Sequence, residues 1–585
     1  MRTPHPTDTS DIWASAPPSP LEKPIGADFP PRSDDIPGSV FLISSAGDVL
    51  KLPIPSESPV DPLNWSWPRR IGALLTIILT SSITLFEVKM SALLMVPFQL
   101  DFASEVCRRC HGRLIYGGIN PSTTDYINTF ASTTNAFGVP VGVALSTALG
   151  RRPVLLFATF INVIATAMAG FLPGFGMLFI SIGIQGFAAG MSVSMVRFAM
   201  HFERLGLLIV FDATFIYERP WATTISWCII SVMANIYFLP LSYITDVATN
   251  WRPLYQVWVV PCIISLILTL FLVPESFFIR PSVAFDGRFL VQSASEHIQI
   301  YDTIDAISPS GFPEDDSPSE RTSLLSRFVD LIRVQRAPGT SWRAAGSTCA
   351  QMILCFCNPL VIWVSLLSGV ILAVAMFQNE TQYRFIIFNL LTTESIVVQL
   401  HRVETWFVIS GVVSGLLSIP VSGPLITWFV AFCARRSGGT RHAEVYLIGF
   451  VLPIVTAAIS VGLFASSISN DWPITIQYVI YGVTQMSYIL IFSAGTVWLT
   501  EAFPLWAAAS IAVELLVVVL LGSFLSAKLG SWAEKGNITG PSILQVLLII
   551  ILGAVIVPVA FWGKNVRQFI HGRWSLSQKA ALRPH

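Results

Sequence analysis

Long apolar stretches alternate with short polar ones along this chain, and twelve of the apolar stretches have membrane-spanning length. They run roughly over 72–95, 126–148, 153–173, 175–197, 221–243, 255–274, 353–377, 405–430, 446–467, 474–497, 506–528 and 542–562. An α-helix rises about 1.5 Å per residue, so about 20 apolar residues cross a hydrocarbon core of about 30 Å. A polar insert divides the stretches six and six. The pattern predicts an all-α membrane protein with twelve transmembrane helices in two pseudo-symmetric six-helix bundles, 71–274 and 353–563. A disordered cytoplasmic tail (1–70), a cytoplasmic linker (275–352) and a second cytoplasmic tail (564–585) complete the expected organisation.

Composition supports the membrane reading. Of the 585 residues 53% are hydrophobic and 12% charged, with a mean hydropathy of +0.65. Soluble proteins carry about 25% charged residues. The net charge is zero, 35 basic against 35 acidic, which gives nucleic-acid binding no support. The distribution of the basic residues is more informative. With both termini placed in the cytoplasm, all but nine of the 35 Lys and Arg fall in cytoplasmic segments or at their edges. The nine are Lys89, Arg108, Arg109, Arg113, Arg252, Arg384, Arg402, Lys528 and Lys535. Short loops set orientation, and the short loops carrying Arg151, Arg152, Arg435, Arg436 and Arg441 all land inside. An even number of spans requires both termini on one side, so the two arguments agree.

No secretory signal precedes the first span. The leading seventy residues and the 275–350 segment are rich in Pro, Ser and Asp, too poor in apolar side chains to offset the entropy of ordering. The linker's Ser and Thr offer phosphorylation sites, although surface serines are common enough that regulation is not required to explain them.

The halves read as repeats. The second stretch holds Gly138-Val-Pro140-Val-Gly142 and ends at Gly150-Arg151-Arg152. The eighth holds Ser418-Ile-Pro420-Val-Ser422-Gly423 and ends at Ala434-Arg435-Arg436. Matching interruptions in corresponding spans are what duplication of a transporter half leaves behind. Small residues also serve ordinary close helix packing, so the shared basic loop that follows carries the argument for duplication.

Several motifs together resemble fungal major facilitator superfamily transporters. Asp61-Pro62-Leu63-Asn64-Trp65-Ser66 is similar to the D-P-x-N-W-S stretch before their first span, and Gly150-Arg151-Arg152 to the end of their loop 2–3 signature. Phe215-Ile-Tyr217-Glu218-Arg219, Trp251-Arg252, Pro274-Glu275-Ser276, Ser422-Gly423-Pro424-Leu425, Glu501-Ala-Phe503-Pro504 and Gly563-Lys564-Asn-Val-Arg567 follow in the family's order. The resemblance covers about 61–570 and is nearest the drug:proton antiporter-like branch, which includes polyamine and multidrug carriers. It implies an antiporter of the plasma membrane.

The departures are specific. The family's loop 2–3 signature has an Asp where this chain has Thr147, and the matching Asp of loop 8–9 is Thr427. An acidic pair is reduced to Glu444. In the family these charges link neighbouring helices on the inner face, so their loss implies altered gating, a diverged paralogue, or a scaffold that no longer transports. Residues 103–125 and 197–211 exceed the family's short connections, either as insertions or as retained intron sequence.

Other chemistry is sparse. Cys107-Arg-Arg-Cys110-His111 matches the C-x-x-C-H haem-attachment pattern, but no soluble haem domain surrounds it, and a disulfide or free thiols fit better. Cys228, Cys262, Cys349, Cys355, Cys357 and Cys433 lie in or beside spans, where cysteine behaves as a small hydrophobe. No metal-ligand cluster and no G-x-x-x-x-G-K-[ST] phosphate loop is present, so neither a metal, another cofactor nor ATP drive is expected. No catalytic arrangement stands out, and the chain does not read as an enzyme.

An ionisable residue inside a bilayer is expensive and marks function by default. Glu514 and Glu87 qualify as proton-coupling candidates, against structural readings as a hydrogen-bonded carboxyl and an interfacial residue respectively. Lys89 lies two positions from Glu87 and faces another side of the helix. Polar candidates for a cavity wall are Asn135, Gln185, Asn235, Tyr237 and the stripe Gln477, Tyr481, Gln485, Tyr488, whose 4, 4, 3 spacing shares one helical face. Such a stripe seals helix to helix equally well. Asn379-Glu-Thr381 and Asn537-Ile-Thr539 are N-glycosylation sequons expected in outer loops. The resulting expectation is a monomeric, proton-coupled secondary transporter of a small organic solute. A non-transporting receptor or sensor on the same scaffold is the alternative.

Overall fold

A computed structural model of the chain describes residues 39–41, 67–94, 98, 121–198, 219–239, 251–275, 283–285, 288–292, 298–301, 336, 340–390, 396–436, 440–470, 472–503, 506–533 and 538–574. The first half contributes α1 (Trp67–Leu93), α2 (Pro121–Leu149), α3 (Arg151–Phe171), α4 (Phe175–Phe198), α5 (Arg219–Ile236) and α6 (Arg252–Leu272). A short helix, α7 (Trp342–Phe356), precedes the second half. There follow α8 (Pro359–Leu390), α9 (Ile396–Arg436), a 3-10 segment Ala443–Phe450 leading into α10 (Val451–Ser469), α11 (Ile474–Ala502) and α12 (Ala507–Ala533). The last crossing is made by α13 (Thr539–Ala554) and α14 (Ile556–Trp574) in succession.

Among the described residues ten helical stretches are long and apolar enough to cross a membrane. The other two predicted spans fall on α2, whose first turns are polar (Pro121-Ser-Thr-Thr-Asp), and α5, whose apolar part is the shorter Thr224–Ile236. The chain is thus an all-α membrane protein; ten helices of membrane-spanning length stand among the described residues, and α2 and α5 occupy the places of the other two predicted spans. Side chains such as Ile264 and Phe271 of α6 and Leu547, Ile550 and Ile551 of α13 are exposed. Apolar exposure of this extent suits a surface covered by lipid.

The packing repeats between halves. α1 packs on α4, α5 and α6, and α8, its counterpart, packs on α11, α12 and α13. α2 packs on α4 as α9 does on α11, and α3 on α4 and α6 as α10 does on α11 and α13. Between the halves, α2 lies against α12 and α5 against α9. Exchanging the halves converts one of these two contacts into the other, as a pseudo-two-fold axis between the bundles requires. The cores interlock across this seam. Val139 and Val143 of α2 join the second half's core, and Ile489 of α11 joins Ile77, Trp227 and Cys228 in the first half's.

Local chemistry explains the boundaries. Gly150 alone separates α2 from α3, at φ 103°, ψ 173°, a backbone conformation open to glycine. The seventh crossing begins at Pro359 rather than at 353. Proline suits a first helical turn, and the Asn358 carboxamide caps it, accepting from the Leu360 amide at 3.0 Å. The preceding apolar run, Met352–Cys357, instead finishes α7. Ser341 caps α7 by accepting from the Ala344 amide at 3.0 Å.

The segments read as disordered carry short strands. β1 (Ser39–Phe41) pairs antiparallel with β5 (Thr440–His442), while β2 (Val283–Phe285), β3 (Arg288–Gln292) and β4 (Ile298–Tyr301) form a three-stranded antiparallel sheet. Phe285 pairs with Arg288 across Asp286-Gly287, a two-residue hairpin signal. The Pro/Ser composition of the whole linker hid that local pattern.

Candidate functional site

The seam between the halves is where a solute site would be shared. The face at which α1 begins and α14 ends is here called the terminal face. Towards that face, Ser422 of α9 donates to Thr224 of α5 (2.9 Å), and Thr224 lies 2.7 Å from Ser493 of α11. Trp227 meets Phe492, with ring centroids 5.7 Å apart, and Phe492 meets Tyr488 at 4.7 Å. Towards the opposite face, Lys89 of α1 donates to Asn235 Oδ1 of α5 at 3.4 Å. Asn235 in turn donates from Nδ2 to the Ser231 carbonyl at 2.9 Å. A Cβ on Gly411 of α9 would lie 3.0 Å from Asn235 Nδ2 and 3.4 Å from the Tyr481 ring of α11. Four helices therefore converge on this point.

Glu87 faces elsewhere. Its Oε1 accepts from the Thr166 hydroxyl of α3 (2.6 Å) and the Cys262 thiol of α6 (3.2 Å). Gln185 of α4 donates to the same Thr166 oxygen at 3.2 Å. Two sequence candidates, Glu87 and Gln185, thus share one hydrogen-bonded cluster inside the first bundle. Glu87 is 1% exposed, and among the described residues its Oε2 has no hydrogen-bond partner. Glu87 and Lys89 lie on different sides of α1, as their spacing predicts.

Glu514 is the eighth residue of α12, nearer the terminal face than the middle of the span. It is fully buried inside the second bundle. A Cβ on Gly495 of α11 would come 2.7 Å from its Oε1 and 3.6 Å from Ser368 Oγ of α8. The two carboxylates therefore occupy different bundles and different depths, and the structure does not bring them together.

The α11 stripe divides. Gln477 donates to Ser467 of α10 (2.8 Å) and accepts from Gln382 of α8 (3.4 Å), inside the second bundle. Its neighbours Thr484 and Ser487 do likewise, bonding Gln378 (2.5 Å) and Thr456 (2.7 Å). Gln477 thus seals helices within one bundle. Gln485 is buried, while Tyr481 stacks edge-on to Phe407 of α9 at 5.1 Å and belongs to the seam, as does Tyr488. Tyr237 meets Ser82 of α1 at 3.0 Å. Asn135 sits where α2 touches α4: a Cβ on Gly190 would clash with its carbonyl oxygen.

The signature remnants have partners of their own. The Arg151 amide donates to Glu275 Oε1 (3.4 Å), and Arg152 Nη2 donates to the Leu270 carbonyl (2.9 Å), tying α3 to the end of α6. In the second half Arg567 grips Glu444 with Nε (3.0 Å) and Nη2 (2.5 Å), tying α14 to the 3-10 entry of α10. The two links are pseudo-equivalent with the charges exchanged. Thr147 and Thr427, in place of the expected Asp residues, bond back to Ala144 and Gly423 in their own helices. Arg435 and Arg436 are exposed, the latter over the Phe432 ring at 4.5 Å.

Asn379, expected in a loop, lies within α8 with a buried side-chain oxygen. Asn537, Cys107, Cys110, His111 and most of the long stretches 103–125 and 197–211 fall outside the described residues. No metal-binding group of His, Cys, Asp and Glu exists among the described residues. Sequence reading missed Lys89 as a seam residue, although a lysine inside a span is itself the signal. It also missed Arg567 as the partner of Glu444, a pairing too distant along the chain to read.

No family model matches the chain, and no curated protein does. Among solved structures it is similar to the human organic anion transporter MFSD10 (TETRAN), at 13% identity and a TM-score of 0.48. That likeness covers 83% of this chain and 100% of the other.

Proposed function

We propose that this protein is a major-facilitator-type secondary transporter that moves a small organic solute by alternating access with proton coupling. The observation that carries the reading is the exchange symmetry of the seam: α2 on α12 and α5 on α9 are equivalent contacts, so two similar rigid bundles can rock about a shared interface. Polar and aromatic groups from both bundles meet there, Lys89, Asn235 and Tyr488 among them. Glu87 and Glu514 are the proton-site candidates. Glu87 has the clearer local case, because its buried Oε2 is an atom that can hold a proton while Oε1 keeps Thr166 and Cys262.

The finer parts of the reading rest on the sequence. The motif resemblance supports antiport in the plasma membrane, and the basic short loops support cytoplasmic termini. The Asn537 sequon then lies outside and is the glycosylation site; Asn379 is enclosed in its helix. The protein works as a monomer. The direct test is flux in proteoliposomes and in a transport-deficient fungal host, with a metabolite comparison between a deletion strain and its parent to supply candidate solutes. Saturable flux that responds to an imposed proton gradient is expected. No flux across a broad solute panel, with normal surface level, would favour the receptor reading.

A further inference from the structure

We infer that the seam carries a site for an organic anion, with the Lys89 ammonium as its charged anchor; this rests on the transporter reading and names its substrate class. Lys89 is half-buried on α1, at the point where α1, α5, α9 and α11 converge. An ammonium has three donors and no acceptor. Its bond to Asn235 Oδ1 is long at 3.4 Å, against about 2.9–3.0 Å for a well-formed bond. Among the described residues Lys89 has no ion-pair partner, whereas Arg567 is paired with Glu444 at the terminal face. Of the three carboxylates buried among the described residues, Glu87 faces α3 and α6, Glu514 faces α8 and α11, and Glu501 lies at the terminal-face end of α11. Among the described residues, the charged group at this point of the seam is the Lys89 ammonium.

The surroundings suit an anion with an apolar body. Asn235 is fixed by its bond to the Ser231 carbonyl, so its Oδ1 positions the ammonium. Gly411 lets the Tyr481 ring approach, and Tyr481, Phe407 and Tyr478 form an edge-to-face cluster with centroids 4.9–5.1 Å apart. A carboxylate or phosphate on Lys89 would form charge-assisted bonds, roughly twice as strong as neutral ones. An attached ring would lie against the aromatic cluster. A cationic solute would face the same ammonium as a like charge, which costs binding.

The test uses purified full-length protein and three probes with a common ring: benzoate, phenyl phosphate and phenyltrimethylammonium. Stabilisation against heating reports binding by mass action, and about 10 mM probe registers affinities near 1 mM. The expected result is stabilisation by an anionic probe in the wild type and in Lys89→Arg, with benzoate against phenyl phosphate identifying the head group. Lys89→Gln should weaken it about tenfold or more, the loss of a hydrogen bond to a charged group. Asn235→Asp keeps the lysine but supplies an internal counter-ion, and should weaken it as well. Stabilisation by phenyltrimethylammonium alone, no response to either anion, or an anion response unchanged in both variants would overturn the assignment. Binding is read without flux, so anion binding without transport would sink the transporter reading alone. Flux of the cation, indifferent to Lys89→Gln, would sink the anion site alone.

Discussion

Adding one methyl group to Gly190 tests whether the first bundle moves as a rigid body. Gly138 of α2 faces Gly190 of α4 so closely that the backbones touch, with Gly142 against Met191 and Ser194 and Gly186 against Ala131 and Thr134 on either side. A Cβ on Gly190 would clash with the Asn135 carbonyl oxygen and stand 2.9 Å from Gly138 Cα, and one on Gly138 would stand 3.1 Å from Gly190 Cα. These obstacles are backbone atoms, which cannot swing aside. Restoring an ordinary carbon–carbon contact of about 3.5–4.0 Å requires α2 and α4 to part by roughly 1 Å, and such a gap forfeits about a quarter to a half of each dispersion contact along the seam. Membrane helices have no hydrophobic drive towards each other, so these contacts are what holds the pair. Overpacking costs about 1–3 kcal/mol, and removing a glycine from a helix returns about 0.5–1 kcal/mol. The net destabilisation of Gly190→Ala is about 1–2 kcal/mol, a fall in apparent Tm of roughly 2–8 °C for a bundle of this size.

Buried thiols supply the assay. Cys228 and Cys262 are enclosed in the first bundle, whereas Cys349 and Cys357 are exposed and label at once. Cys355 and Cys433 of the second half are buried or partly buried as well, so in a Cys355→Ala, Cys433→Ala background a fluorogenic maleimide added during a thermal ramp reports opening of the first bundle above the signal of the exposed thiols. Gly462→Ala is the control, because a Cβ there meets nothing within 4 Å. If Gly190→Ala melts with Gly462→Ala and the wild type, the backbone contact is not what binds α2 to α4, and the rigid-bundle argument fails.

Three further outcomes are expected. Glu444→Gln removes the carboxylate that Arg567 grips and should lower stability by about 1.5–3 kcal/mol, the worth of a hydrogen bond to a charged group; a thermal melt no different from wild type would count against the link. Glu514→Gln nearly preserves shape and should keep folding and surface level while removing the pH dependence of transport, and unaltered pH-dependent flux would move the assignment to Glu87. Asn537→Gln should abolish glycosidase-sensitive mass, whereas glycan at a sequon engineered into 275–350 would reverse the proposed orientation.

The crossings were legible because hydrocarbon thickness leaves a length signal in the sequence that no tertiary contact can override. The glycines show where that signal stops. Gly138 and Gly142 read as part of a duplicated interruption or as ordinary tight packing, and their contacts with α4 place them inside one bundle. The choice depended on which helix lies opposite, and composition carries no record of that. The same holds for the α11 stripe. Helical spacing put Gln477, Tyr481, Gln485 and Tyr488 on one face, but that face runs from the interior of the second bundle onto the seam.

The signature positions follow the same logic in reverse. Judged against the family pattern, Thr147 and Thr427 read as lost charges, which implies altered gating, a diverged paralogue or a scaffold that no longer transports. In the fold the terminal-face links are made by other residues: Arg151 and Arg152 with the end of α6, and Arg567 with Glu444. Each link joins the third crossing of a bundle to its sixth, and the charges change places between the halves. Exchanging the signs of two partners leaves the Coulomb attraction between them unchanged. Loss of a motif Asp therefore does not remove the coupling between outer helices, provided that a partner of the opposite sign remains within reach on the neighbouring crossing. What the sequence preserves is the pair of helix ends that must be joined, and Glu444 with Arg567 is how this chain joins the second of them.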